Sequence, residues 1–144
     1  MPVPSPNFGD PSQQATRNAV VLVVDDDRMI REVATRSLER AGYQVVAVGS
    51  GQEAVDLVRS QSHGIDAILL DLSMPEMDGW EAAAQLKACR PEIPIALTSG
   101  YGEDQFPARR GACNYDAFLD KPYGPGELAL CVDSLLASGT RDDR

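Results

Sequence analysis

Apolar positions along the chain fall into two kinds of stretch that alternate. The first kind is a short, mostly apolar run: Ala19 to Val24, Tyr43 to Val48, Asp66 to Asp71, Ile93 to Ser99 and Ala117 to Asp120. Runs of this length, bounded by turn residues, predict strands, with those of Ala19 to Val24 and Asp66 to Asp71 buried. The second kind is helical. Ile30, Val33, Ala34, Leu38 and Ala41 recur at i+3 and i+4 steps, and Gly42 stops the pattern. Ser50 and Glu53 have the spacing of a capping box and open a helix that turns Ala54, Leu57 and Val58 inward. That helix is expected to end near residues 62–64. A third helix is predicted from about Gly79 to Ala88. A fifth is predicted from about Gly126 to Ala137, with Leu128, Cys131, Val132 and Leu135 on one face. Between them, residues 103–110 should hold a fourth, closed by Gly111. Pro107 lies inside it, and an interior proline costs about 3 kcal/mol, so this helix is expected to be short or irregular.

The order is strand then helix, five times over. Such alternation predicts a parallel α/β sheet with helices on both faces, and every strand then points its carboxyl end to one edge. Residues 1–18 carry prolines at 2, 4, 6 and 11 among Ser, Gln, Asn and Gly. They are expected to form a disordered or extended linker, because they bury too little apolar area to offset the entropy of ordering. The domain is expected over residues 19–138, with a disordered tail over 139–144.

Charge narrows the functional classes. The 144 residues, 43% hydrophobic and 24% charged, suit one domain with a sizeable core. The formal net charge is -9, and the acids and bases of residues 1–18 and 141–144 cancel, so the excess lies on residues 19–140. That excludes direct nucleic-acid binding through clustered Lys and Arg, and suits a cation site or a partner with a basic face. Cys89, Cys113 and Cys131 are odd in number and lack C-x-x-C spacing, so they read as reduced thiols. No stretch approaches the roughly 18 apolar residues of a membrane span, and no signal peptide opens the chain. A cytoplasmic location is expected.

Candidate chemistry collects where the strands end. Strand one ends at Asp25, Asp26 and Asp27, strand three at Asp71, strand four at Ser99 and strand five at Lys121. The carboxyl edge of an open α/β sheet is where ligands bind. Carboxylates crowded there repel one another unless a cation intervenes. A hard divalent ion such as Mg²⁺ takes oxygen ligands and commonly keeps a phosphate oxygen among them. A lysine, a hydroxyl and loop amides remain to hold a phosphoryl group, and one carboxylate can serve as nucleophile to form an aspartyl phosphate.

Four blocks in order carry a resemblance: Val21-Leu-Val-Val-Asp25-Asp26-Asp27, Leu69-Leu-Asp71-Leu-Ser-Met-Pro75-Glu-Met-Asp78-Gly79, Pro94-Ile-Ala-Leu-Thr-Ser99-Gly100-Tyr101, and Phe118-Leu-Asp-Lys121-Pro122. Over residues 19–138 the sequence resembles the receiver (CheY-like) domain of two-component response regulators. The resemblance implies a doubly wound (βα)5 flavodoxin-like sandwich whose five-stranded parallel sheet has the order 2-1-3-4-5. It implies Asp71 as phosphoacceptor, Asp26 as a direct Mg²⁺ ligand, and Asp25 acting largely through water. Asp71 and the backbone carbonyl of Ser73 would complete the protein's share of the metal shell. Lys121 would pair with a phosphoryl oxygen, Ser99 would be the switch hydroxyl and Phe118 the aromatic that changes rotamer. Lys121-Pro122 matches the family's cis peptide bond.

Implied partners are a histidine kinase or phosphotransfer domain, and a downstream protein that reads the face of the fourth helix, fifth strand and fifth helix. Thr98 precedes Ser99, so a one-residue shift of register would exchange their roles. Pro107 falls within that output face and points to an unusual partner surface. Phe118 has no hydroxyl and can switch by packing alone. Ser73 and Tyr101 flank the site and are expected to tune the lifetime of the phosphoryl group. Asp27 reads as a helix cap, Trp80 as a packing residue, and His63 has no role. Two rival readings stand beside the receiver: a phosphate-independent protein-binding module, and an aspartyl phosphatase. The second is disfavoured because Ser73 occupies the position of its second acid. Too few residues follow the last helix for an output domain. The chain is therefore expected to be a single-domain regulator or the receiver of a hybrid histidine kinase, and the Thr98 to Gly102 stretch leans toward the latter.

Overall fold

The computed structural model describes residues 19–60, 64–74, 79–100 and 115–141. The strands are β1 (Val20–Val24), β2 (Gln44–Val48), β3 (Ala67–Asp71), β4 (Ile95–Ser99) and β5 (Ala117–Asp120). The described helices are α1 (Arg28–Arg40), α2 (Gly51–Ser60), α3 (Gly79–Cys89) and α4 (Pro125–Arg141). All strand pairs are parallel and the order is β2-β1-β3-β4-β5, as the resemblance implied. The fold is the doubly wound flavodoxin-like α/β sandwich. Pro75, Asp78, His63, Tyr101, Gly102, Pro107 and Cys113 lie outside the described residues, as do residues 1–18, the 103–110 stretch and residues 142–144.

Two apolar layers sandwich the sheet, and strand alternation sorts residues between them. Leu22 and Val24, Ile68 and Leu70, and Ile95 and Leu97 face α2 and α3, meeting Ala54, Val55, Val58, Trp80, Ala83 and Leu86. Val21 and Val23, Ala67 and Leu69, and Ala96 face the other way, against Ala34 and Leu38 of α1 and Leu128, Val132 and Leu135 of α4. With both faces covered, β3 and β4 are buried from end to end, which is why their sequences are unbroken apolar runs.

Three details differ from the sequence reading. Val33 does not join the buried stripe of α1 and is 55% exposed. It precedes Ala34 by one position, a rotation of about 100°, which carries it to the solvent side of the stripe. On α2, Val55 is fully buried while Leu57 only packs against the core edge. α4 continues to Arg141, past the expected end at Ala137.

Local chemistry sets the ends that carry the site. Asp27 caps α1: its extended backbone lets Oδ1 accept the N–H groups of Met29 and Ile30. Gly42 closes the same helix with a φ of 103°, which a side chain would disfavour. The opposite edge is tied by Asp66, whose carboxylate accepts the Val20 N–H. There too, Asp116 Oδ2 accepts both the Ile95 N–H and Lys87 Nζ. Those ties hold the strands in register, so their carboxyl ends arrive together.

Candidate functional site

Parallel pairing runs one residue past the strands at the carboxyl edge. Asp25 N–H donates to the Val48 carbonyl, Leu72 N–H to Thr98 and Lys121 N–H to Ser99. These bonds bring Asp25, Asp71, Ser99 and Lys121 to one edge. The carboxylates of Asp25, Asp26 and Asp71 each offer an oxygen within 4.8 Å of the others. Asp25 and Asp71 are buried while Asp26 is exposed.

Lys121 lies between the two buried acids. Its Nζ is 3.0 Å from Asp25 Oδ2 and 3.2 Å from Asp71 Oδ1. Asp25 Oδ1 accepts the Asp27 N–H at 2.9 Å, and Asp71 Oδ1 accepts the Ser73 N–H at 3.1 Å. Burial pushes the Asp25 carboxyl above the ordinary carboxylate range and outweighs the Asp27 amide and the Lys121 ammonium, which pull it down; the charge of Asp71 adds to the rise. For Lys121 the balance is the reverse. Burial works against its ammonium, but the hydrogen bond to Asp25 and the charges of Asp71 and Asp25 prevail and hold its pKa above the usual value.

The start of α3 depends on a close approach at Gly79. A Cβ there would lie 2.5 Å from both the Asp71 carbonyl oxygen and Leu72 Cα. Gly79 N–H also donates to the Leu72 carbonyl at 3.2 Å. Only glycine lets α3 begin this close to the strand end. Lys121-Pro122 is a cis peptide bond, as the resemblance implied.

Ser99 and Thr98 are both buried, and strand alternation separates them. Ser99 shares a sheet face with Ile95 and Leu97, and Leu97 pairs with Phe118. Thr98 shares the opposite face with Ala96. Phe118 packs on the α2–α3 side and ends a row of rings. Its centroid is 6.5 Å from that of Tyr115, which is 5.6 Å from that of Trp80, both contacts edge-on.

Two residues near the site have no counterpart in the sequence reading. Arg31 Nη1 donates to the Asp25 carbonyl at 2.8 Å. The Tyr123 hydroxyl is pushed up to about 12, by burial first and then by the negative charges of Asp25 and Asp71. Neither was legible from spacing, because each acts through where a long side chain lies after folding. The donor set suits a hard divalent ion: three carboxylates converge, and desolvation of Asp25 leaves charge that a cation would relieve.

The family model of the response regulator receiver domain matches residues 21–133. The chain is 37% identical over 123 residues to the response regulator MprA of Mycolicibacterium vanbaalenii, covering 85% of this chain and 52% of that protein. It is 34% identical over 119 residues to the sensor kinase CckA of Brucella abortus, covering 83% of this chain and 13% of the kinase. Among solved structures it is similar to a CheY-like receiver domain protein from Methanospirillum hungatei, with a TM-score of 0.80 at 23% identity, covering 87% and 98% of the two chains. It is also similar to the chemotaxis protein CheY4 of Vibrio cholerae, with a TM-score of 0.75 at 28% identity, covering 83% and 99%. The chain thus spans about half of that regulator and a small part of that kinase. No helix among the described residues is long and apolar enough to cross a membrane.

Proposed function

The chain belongs to the response regulator receiver family, the phosphoacceptor domains of two-component signalling, and from that premise we propose that Asp71 accepts the phosphoryl group. The observation that carries this reading is the convergence of three carboxylates within 4.8 Å, two of them bridged by Lys121.

Asp71 Oδ1 already accepts from the Ser73 amide and pairs with Lys121, which favours Oδ2 for bond formation. Oδ2 attacks phosphorus in line. The P–O bond forms as the P–N bond of the donor phosphohistidine breaks, and the leaving imidazole takes a proton. Lys121 turns its ammonium to a phosphoryl oxygen. Asp25, Asp26, Asp71 and the Ser73 carbonyl would hold Mg²⁺. When bound, the ion neutralises charge on the transferring group.

Ser99 then donates its hydroxyl to the new phosphoryl group and moves toward Asp71. Phe118, on the same face of the sheet, fills the space it leaves. Two packings of one aromatic provide a two-state element that phosphorylation can bias. The downstream partner reads the surface of β5 and α4. The donor is a histidine kinase or phosphotransfer domain, for which Met29 and Val33 offer an apolar contact. They are one turn apart on α1 beside the acidic loop, and are 73% and 55% exposed. A cytoplasmic setting belongs to the same proposal and is supported by the free thiols of Cys89 and Cys131.

Transfer from a phosphorylated histidine kinase tests the reading. Wild type should take the label and Asp71→Asn should not. Equal labelling of the two would remove Asp71 as acceptor.

A further inference from the structure

Asp25 has a partner for each of its polar atoms named above, and its backbone carbonyl accepts from a side chain rather than from the sheet or a loop amide. That carbonyl accepts Arg31 Nη1 at 2.8 Å, from six residues further along α1. The carbonyl belongs to the peptide plane that joins Asp25 to Asp26. A peptide unit is planar, so the direction of its carbonyl limits rotation about ψ of Asp25 and φ of Asp26. We propose that Arg31 is a positioning residue for the metal site. By holding the plane between Asp25 and Asp26, it aims the exposed Asp26 carboxylate at the ion.

Arg31 is itself held from below. A Cβ on Gly49 would stand 3.1 Å from Arg31 Nη1, so the guanidinium lies across a glycine at the end of β2. Gly49 is placed by the start of α2. Its N–H donates to Glu53 Oε1 at 3.0 Å, while the Glu53 N–H donates to Ser50 Oγ at 3.1 Å. The capping box therefore does more than begin a helix. It sets the floor on which Arg31 rests, and Arg31 sets the acid pair.

The sign of the effect separates positioning from simple electrostatics. A positive charge beside three carboxylates repels a divalent cation, so removing it without any change of geometry should tighten Mg²⁺ binding. Loss of a positioning contact should weaken it. A hydrogen bond from a charged donor is strong enough to make that weakening about tenfold.

The inference rests on the Mg²⁺ reading of the site, and its test keeps the two apart. Amide shifts of residues 25–27 and 72–73 are followed by NMR as MgCl₂ is added to the full chain, with Tm measured on the same metal-free samples. Absence of saturable shifts in wild type removes the Mg²⁺ reading itself. If wild type binds, Arg31→Ala should bind about tenfold more weakly, with Arg31→Lys between the two, because Lys keeps a charged donor but not the planar guanidinium. Affinity in Arg31→Ala equal to or tighter than wild type overturns the inference. Gly49→Ala provides a second route should Arg31→Ala fold poorly. Gly49 does not have a left-handed backbone, so the added methyl acts by pushing the guanidinium. It should weaken Mg²⁺ binding in the wild-type background and add nothing in Arg31→Ala. An equal effect in both backgrounds overturns the linkage through Arg31.

Discussion

Lys121 Nζ stands 3.2 Å from Asp71 Oδ1 although a whole strand, β4, separates β5 from β3. The lysine reaches across the end of β4 because its own N–H is held by the Ser99 carbonyl. In this state it neutralises part of the charge that an ion would otherwise neutralise. Lys121→Met should therefore bind Mg²⁺ more tightly than wild type, since the competing cation is gone. The same variant should lose about a hundredfold in phosphorylation rate, because the ammonium that pairs with a phosphoryl oxygen is gone. An NMR or fluorescence Mg²⁺ titration, with labelling rates at saturating Mg²⁺, checks both halves.

Asp25 is a buried acid whose pKa lies above its unfolded value of 3.8, chiefly from desolvation. A raised carboxyl pKa means the folded state holds its proton more tightly. The favourable contribution is then full below 3.8 and is lost as pH rises through the folded value. At neutral pH the ionised group weighs against folding in the absence of metal. Asp25→Asn should raise the metal-free Tm by a few degrees at pH 7. The advantage over wild type should shrink as pH falls through the window just above 3.8. Scanning calorimetry across that range measures it.

Gly79→Ala should be costly. The added methyl would meet the Asp71 carbonyl oxygen and Leu72 Cα at 2.5 Å, both of them backbone atoms that cannot rotate aside. Overpacking of this kind costs about 1–3 kcal/mol. Urea unfolding should show a lower midpoint with little change of slope. Labelling of the folded fraction should also slow, because the shift falls on the acceptor loop itself.

Trp80 is the chain's one tryptophan, and through Tyr115 it stands at the far end of the ring row from Phe118. Movement of Phe118 on phosphorylation should alter Trp80 emission. Tyr115→Leu should cut the amplitude of that change while leaving the labelling rate within about twofold of wild type. An undiminished signal in Tyr115→Leu would show that Trp80 senses the acceptor loop directly. Stopped-flow fluorescence with acetyl phosphate is the measurement.

Strands and site edge were legible in the sequence for one reason. Where burial on both faces forces an unbroken apolar run, the first polar residue after it marks a strand end, as Asp25 and Asp71 do. Helix faces were less legible. Val33 and Ala34 fit the same i+3 and i+4 pattern from Ile30, yet only Ala34 is buried. The acid pair shows a further limit. Adjacent residues Asp25 and Asp26 look alike in sequence, but strand geometry buries one and exposes the other. Arg31 was invisible because its partner is a backbone carbonyl, which any residue carries.

The most direct test of the central claim is intact mass after incubation with acetyl phosphate, for wild type and Asp71→Asn, with and without Mg²⁺. The expected result is a single phosphate adduct on wild type that disappears when Mg²⁺ is removed, and none on Asp71→Asn. An adduct of equal size on folded Asp71→Asn, or one indifferent to Mg²⁺, would contradict it.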